Sequence, residues 1–290
     1  MVAVALAAAC NPGGQEARRM RESCETGEVA ACHDFALRLL RGEHVLRDQP
    51  RAAGLFQGAC SSGVAASCLS LGVMYHRGTG VEDDTARAAG LYREACDGGD
   101  MEGCRRLGVL YREGGGVTPD LARAASLLEK ACDGNELEGC SHLGALYATG
   151  QGVDADPVRA AGLLDRACDG DVAASCRELG RLHAAGTGVT RDVARAASLY
   201  ERACEGDDAA GCFQLGDLYA TGDGVTQDFE RAATLYQQAC SGRHAEGCYG
   251  LGVLYQNGAG VPRQPSRAAS LFRRACSLGY APACTNESGS

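Results

Sequence analysis

Residues 101–134, MEGCRRLGVLYREGGGVTPDLARAASLLEKACDG, decide the fold of the chain. Leu107, Leu110 and Tyr111 recur at the i, i+3, i+4 spacing of one buried helical face. The run GGGVTPD then stops the helix, because glycine reaches positive φ at little cost and proline cannot extend a helix. Asp120 is placed to cap a second helix, LARAASLLEKAC, by accepting a backbone N–H. The stretch therefore predicts two helices joined by a tight turn.

This stretch is one copy of a unit that recurs every 36 residues. The motifs RAA, LG and G-x-G-V keep the period, and so do pairs of cysteines eight positions apart. About seven and a half units are predicted over residues 16–284, as one elongated all-α domain. The paired cysteines are Cys24 with Cys32, Cys60 with Cys68, Cys96 with Cys104, Cys132 with Cys140, Cys168 with Cys176, Cys204 with Cys212, Cys240 with Cys248, and Cys276 with Cys284.

Each cysteine pair flanks the turn between one unit and the next. Such a turn can bring two Cα atoms within the roughly 4.4–6.8 Å that a disulfide needs. A loop this short contributes about 2.5 kcal/mol of stability in the chain-entropy model. Zinc ligation and buried free thiols are the alternatives, although structural zinc ligands usually lie about two to four residues apart. Because cytosolic proteins rarely keep so many paired cysteines, the disulfide interpretation places the protein in an oxidising compartment.

Composition excludes two classes of partner. The net charge is −9 and no basic tail is present, whereas nucleic-acid binding needs lysine and arginine to neutralise phosphates. No apolar run approaches the roughly 18 residues of a membrane span. We therefore expect no nucleic-acid partner, and a membrane contact only through a lipid.

The seventeenth cysteine, Cys10, follows the apolar run MVAVALAAA and precedes NPGGQ, an arrangement that resembles a bacterial lipoprotein cleavage site. The run is shorter than a usual signal peptide and lacks a basic start. Lipidation of Cys10, export without lipid, and no export remain open. Residues 1–10 are interpreted as an export signal, residues 11–15 as a linker and residues 285–290 as a flexible tail. The predicted location is the bacterial periplasm or cell envelope, or the extracellular space.

The motif AAxLYxxACxxG…CxxLGxLYxxGxGVxxD resembles the Sel1-like repeat family, and its cysteine spacing is similar to the Helicobacter cysteine-rich proteins. The resemblance implies a right-handed αα-solenoid with a concave inner surface. The resemblance also implies a candidate activity, because some of these bacterial proteins are described as penicillin-binding or as slow β-lactamases.

The chain lacks the motifs of that chemistry. Serine β-lactamases use S-x-x-K, but Lys130 is the only lysine and Leu127 stands three residues before it. The six histidines share no phase of the repeat, and His183 stands where other units have tyrosine, so it is interpreted as a packing residue. The G-x-G-V glycines are interpreted as turns rather than phosphate loops. We expect no catalytic residue, no metal and no cofactor.

Positions one, five, eight and nine residues after the second cysteine vary between units, so they are the predicted solvent or ligand face of the first helix. Arginines occupy the middle of this face, and two aromatics follow near its end. Solvated helix surface is one interpretation; a groove for an extended peptide or an anionic envelope component is the other. The predicted ligand-binding residues are Arg105, Arg112, Arg177, Arg181, Phe213 and Tyr249.

The sequence thus predicts a monomeric, non-enzymatic scaffold of the cell envelope that binds a protein or peptide on its concave face. The first alternative is a penicillin-binding protein or weak β-lactamase, which would make the chain a hydrolase. The second is an assembly factor of a respiratory complex.

Overall fold

The structure, a computed structural model, describes residues 12–285, which form helices and no strand. The chain groups into two compact units, Met1–Gly139 and Cys140–Ser290. Within each unit, every helix packs on the helix that follows it along the chain. The helices are α1 (Pro12–Glu25), α2 (Val29–Arg41), α3 (Gln49–Ser61), α4 (Ala65–Arg77), α5 (Thr85–Asp97), α6 (Met101–Glu113), α7 (Leu121–Asp133), α8 (Leu137–Thr149), α9 (Pro157–Asp169), α10 (Ala173–Ala185), α11 (Val193–Glu205), α12 (Ala209–Thr221), α13 (Phe229–Ser241), α14 (Ala245–Asn257), α15 (Pro265–Ser277) and α16 (Ala281–Cys284).

The helix limits follow the predicted chemistry. Asp120 accepts the backbone N–H of Arg123 at 2.9 Å, and the aspartates at the same phase of the other repeats cap in the same way. Gly114 ends α6 in the left-handed conformation at φ 80°, and its N–H bonds to the Leu110 carbonyl. Each repeat is therefore a first helix, a glycine-rich turn and a capped second helix. The even-numbered helices α2 to α14 are the first helices, and the odd-numbered helices α3 to α15 are the second.

The glycine of the LG motif gives the second helix room to approach the first. A Cβ on Gly108 would lie 3.0 Å from Leu128 Cγ, and one on Gly180 would lie 2.7 Å from the Tyr200 ring. Leu128 is fully buried and Tyr200 is 3% exposed. The two helices of a repeat therefore pack closely at this glycine, which leaves room for one large side chain of the second helix.

Disulfides join the paired cysteines, as predicted. Cys96 and Cys104, for example, have Cα atoms 4.5 Å apart and are 1% and 0% exposed. All sixteen cysteines of the repeat pattern are disulfide-bonded. Each bridge ties the end of one repeat's second helix to the next first helix, so the cross-links lie between consecutive repeats.

The other junctions carry the same cross-link. Their bridged Cα atoms are 4.5 to 4.9 Å apart, within the range that a disulfide needs. The predicted pairing eight positions apart is therefore confirmed at these junctions. The bridges join Cys24 to Cys32, Cys60 to Cys68, Cys168 to Cys176, Cys204 to Cys212, Cys240 to Cys248, and Cys276 to Cys284, and Cys132 and Cys140 are likewise disulfide-bonded.

The start of the array differs from the prediction, because α1 begins at Pro12 and not at Glu16. Residues 12–15 are therefore helical rather than linker, and Cys10 lies outside the described residues. The additional residues of α1 take part in a contact that recurs along the array. Gly116 has φ 70°, and a Cβ added to it would lie only 2.5 Å from the backbone nitrogen of Ala86, at the start of the preceding second helix. In the first repeat His44 replaces this glycine. Gly13 of α1 leaves room for the His44 ring, because a Cβ on Gly13 would lie 2.4 Å from that ring.

Candidate functional site

Four predicted ligand residues, those directly after a second cysteine, contact the next repeat. Each meets the residue that lies 31 positions further along, immediately before the next first helix. The contacts are Arg105 Nε to Glu136 Oε1 at 2.8 Å, Arg177 Nε to Asp208 Oδ2 at 3.2 Å, Phe213 stacked on His244 with ring centroids 4.8 Å apart, and Tyr249 against Tyr280 at 5.1 Å. The first two contacts are ion pairs and the last two are contacts between aromatic rings, so these four side chains link neighbouring repeats.

The Arg105 guanidinium is surrounded by carboxylates. Besides Glu136, it lies 3.1 Å from Glu138 and 3.6 Å from Glu102, and its side chain is only 14% exposed. Burial raises the pKa of Glu136, while the Gly139 N–H and Arg105 favour its charged form. This arginine is therefore held by its own chain and can reach a ligand only by leaving these partners.

Arg112 and Arg181, the other predicted arginines, lie further along their helices. Arg112 pairs with Glu113 at 2.7 Å, and Arg181 pairs with Glu178 at 2.9 Å. The Arg181 side chain is 55% exposed, so its ion pair is in water and contributes at most about 1 kcal/mol. A ligand role for Arg181 thus needs the least rearrangement, and the ligand roles of all six residues remain predictions.

Sequence reasoning missed a series of arginine–tyrosine stacks. The arginine of RAA lies over the tyrosine that ends the first helix of the same repeat, at centroid distances from 4.3 to 5.1 Å. Each exposed stack contributes about 0.5–1 kcal/mol. The signal that was available is the 36-residue recurrence of the arginine, together with a tyrosine at the same phase of most repeats. The stacks are Arg87 on Tyr75, Arg123 on Tyr111, Arg159 on Tyr147, Arg231 on Tyr219, and Arg267 on Tyr255.

Sequence reasoning also missed a cation at the end of several second helices. Lys130 Nζ donates to the Cys96 carbonyl at 3.0 Å, and Arg274 donates to the Cys240 carbonyl at 2.8 Å. These carbonyls lie in the last turn of the preceding second helix, where a positive charge is favourable. The only lysine therefore has a structural contact, since it joins two second helices.

Cys60, Cys68 and Glu94 have potential metal-ligand atoms within 4.8 Å of one another. The two sulfurs are bonded to each other at 2.05 Å, so they are not the thiolates that zinc requires. His183 is half-buried, and its Nδ1 is buried without a hydrogen-bond partner. Among residues 12–285, no helix is long and apolar enough to cross a bilayer.

His244 gives the N-terminal cap of α14 a pH dependence. Its Nδ1 accepts the Gly247 N–H at 3.3 Å, which only neutral imidazole can do, and burial lowers the pKa of His244. The stabilisation is thus complete above the unfolded pKa of about 6.5 and is lost as pH falls through 6.5 towards the folded pKa. His33 is also partly buried with a lowered pKa, so it adds a second contribution.

We expect native protein to lose unfolding free energy between pH 7 and pH 5.5, and H244D to lose less of it. Aspartate already occupies the equivalent position at Asp100 and Asp208, where it accepts the same N–H. The cap is worth on the order of 1 kcal/mol. Urea unfolding midpoints at each pH measure the effect, and equal losses in both proteins would contradict it.

These repeats, with buried contacts and disulfides at the junctions within each unit, define a helical-repeat protein. The Sel1 repeat model matches residues 29–64, 65–100, 102–136, 137–172, 173–208, 209–244 and 245–280. The chain therefore belongs to the Sel1 repeat family.

Solved structures share this fold. The Escherichia coli protein c5321, a protective antigen of uropathogenic strains, is 28% identical with a TM-score of 0.80 over 92% of this chain, which spans 58% of c5321. A Sel1 repeat protein from Oxalobacter formigenes is 26% identical with a TM-score of 0.79, over 93% of this chain and 79% of that one. Yeast Tom70 is 13% identical with a TM-score of 0.51, over 94% of this chain and 57% of Tom70, and shows the fold alone.

No curated protein matches the chain. None of the three solved structures is described as a β-lactamase or penicillin-binding protein. The hydrolase alternative therefore gains no support from them. The disulfides imply an oxidising, exported environment, since reducing compartments keep such thiols free.

Proposed function

We propose that the protein is a non-enzymatic scaffold that binds protein or peptide partners along the variable face of its first helices. Sel1-repeat proteins are generally interaction scaffolds. By resemblance to solenoids of this family, this would be the inner, concave face. The fold would present the face, and the repeat-specific side chains would determine which partner binds.

The observation that carries the proposal is the division between repeated and variable positions. The leucine of LG is nearly inaccessible in every first helix of this type, at 2% exposed for Leu107 and 1% for Leu251. Five residues after the second cysteine, the chain instead exposes Ala145, Arg181 and Asp217. The repeated positions thus form the core. The exposed positions differ in charge and size from repeat to repeat, as a partner-specific surface requires.

Arg112 and Arg181 would engage acidic groups of the partner, and Phe213 and Tyr249 would offer ring edges for apolar groups. Arginine and aromatic side chains commonly dominate the energy of protein interfaces. Arg105 and Arg177 would contribute positive potential while remaining in their ion pairs. For location, we propose the bacterial periplasm or envelope, with a lipid on Cys10.

Site-directed photo-crosslinking in the host tests the proposal. A photoreactive residue at Ala145, exposed on the first helix α8, is expected to give a discrete protein adduct in the envelope fraction. The matched control is Ser198, exposed on the second helix α11, where no adduct is expected. Fatty-acid analysis of Cys10 in the same fraction tests the anchor.

Adducts of equal yield at both positions, or none at Ala145, would contradict binding on the first helices. An adduct recovered only from the cytosolic fraction would contradict the proposed location. Adding R181A to the Ala145 probe should lower the adduct yield, because it removes the most exposed predicted arginine of the described face.

A further inference from the structure

One repeat departs from the charge pattern of the arginine–tyrosine stacks. Thirty positions before the stacked arginine, on the preceding second helix, the chain usually places an amide or a carboxylate. Gln57 Oε1 accepts from Arg87 at 3.2 Å, and Glu201 lies 3.7 Å from Arg231. At position 93 the residue is arginine, so a second guanidinium stands where those repeats place a hydrogen-bond acceptor.

Both guanidiniums converge on one phenol oxygen. Arg93 Nη2 donates to Tyr111 Oη at 2.9 Å from α5, and Arg123 Nη1 donates to the same oxygen at 3.1 Å from α7. Tyr111 is only 5% exposed. Because its oxygen accepts both bonds, its own hydrogen remains to be donated, and no acceptor for it lies among residues 12–285. Three donors therefore meet at this point, and the phenol oxygen accepts hydrogen bonds from two of them.

The surroundings leave this cluster positive. Asp120 is the nearby acid, with Oδ2 3.7 Å from Arg123 Nε, and its Oδ1 already caps α7. In the described part of the chain, no carboxylate lies within ion-pair distance of Arg93. The hydrogen bond from Arg123, reinforced by that from Arg93, lowers the pKa of the Tyr111 phenol. Tyr111, Asp120 and Arg123 line an open surface groove of about 430 Å³ beside the turn from Gly116 to Pro119. Arg93 does not line this groove and reaches the Tyr111 oxygen from α5.

We propose that Arg93, Arg123 and Tyr111 form a binding site for an oxyanion, either a carboxylate or a phosphate monoester. Guanidinium forks and a phenol hydroxyl are donors that suit such groups, and two cations against one carboxylate favour a negative ligand. The site goes beyond the scaffold role, because it needs no partner on the variable face of the first helices.

NMR titration of the whole chain tests the site, with sodium phosphate and sodium acetate as probes. Sodium chloride at the same ionic strength is the reference, since exposed charges are screened by salt. Saturable shifts are expected around Tyr111 and the 116–120 turn. R93Q installs the amide found at Gln57 and should weaken binding by about tenfold or more, the effect of losing a charge-assisted hydrogen bond. R93E should abolish it.

R273Q is the matched control, because exposed Arg273 has the same repeat phase as Arg93, and its binding should equal that of native protein. Y111F tests the hydroxyl and should also weaken binding. Saturation by phosphate alone identifies a phosphate site, and saturation by acetate identifies a carboxylate site. Shifts no larger than those with chloride, or equal affinity in native protein and R93Q, would overturn the proposal. Neither result bears on the photo-crosslinks at Ala145.

Discussion

Replacement of Cys96 and Cys104 together by alanine should lower the free energy of unfolding by about 2–5 kcal/mol. The bridge closes a loop of eight residues, and both cysteines are almost completely buried at the junction of α5 and α6. The variant loses the constraint on the unfolded chain and also the packing of two sulfurs. Guanidinium unfolding followed by circular dichroism at 222 nm measures the loss, since the chain has no tryptophan.

The double alanine variant of Cys276 and Cys284 is the matched control. This bridge has the same separation of eight, but Cys284 is exposed and follows the last full helix. Because repeat stability is a sum of neighbouring interfaces, its loss should fray the end and cost less than the internal bridge. A control at least as destabilised as the internal variant would show that position in the stack does not matter.

G116A should cost more than about 3 kcal/mol, for two reasons that act together. Gly116 has φ 70°, where a side chain alone costs roughly 1–2 kcal/mol. Its Cβ would also lie 2.5 Å from the backbone of Thr85 and Ala86, so α5 would have to move away from the α6–α7 turn. Thermal unfolding measures the effect, with the largest drop in melting temperature expected among the glycine variants.

Two further glycines separate these causes. Gly99 has φ 89° but nothing within 4 Å of a Cβ, so G99A should show the backbone cost alone, about 1–2 kcal/mol. Gly90 lies within α5 with open space and ordinary φ, so G90A should stabilise by about 0.5–1 kcal/mol. Similar losses in G116A and G99A would contradict the account of close packing between repeats.

The hairpins and cross-links were predictable because they depend on local spacing. Helical periodicity, the Asp120 cap and the eight-residue cysteine separation each act within one turn or one helix. The start of α1 was missed because Pro12 and Gly13 carry no RAA or LG motif. Gly13 lies 31 residues before His44, the same separation as between Thr85 and Gly116. This spacing could have indicated that the helix includes Gly13.

The contacts between repeats were harder to predict because they join residues 31 or 34 positions apart. Arg105 with Glu136 and Phe213 with His244 form a pattern only after the fold shows which positions face each other. The predicted face therefore mixed residues that hold repeats together with residues available to a partner. Exposure separates them, since the Arg105 side chain is 14% exposed and that of Arg181 is 55% exposed.

The central claim is that disulfides join consecutive hairpins of the array. Mass spectrometry of protein isolated from its host under alkylating conditions, and digested without reduction, tests it most directly. We expect cross-linked peptides that pair each cysteine with the one eight positions away, as in Cys168 with Cys176. Alkylated free thiols at these positions, or bridges between different repeat junctions, would contradict the claim.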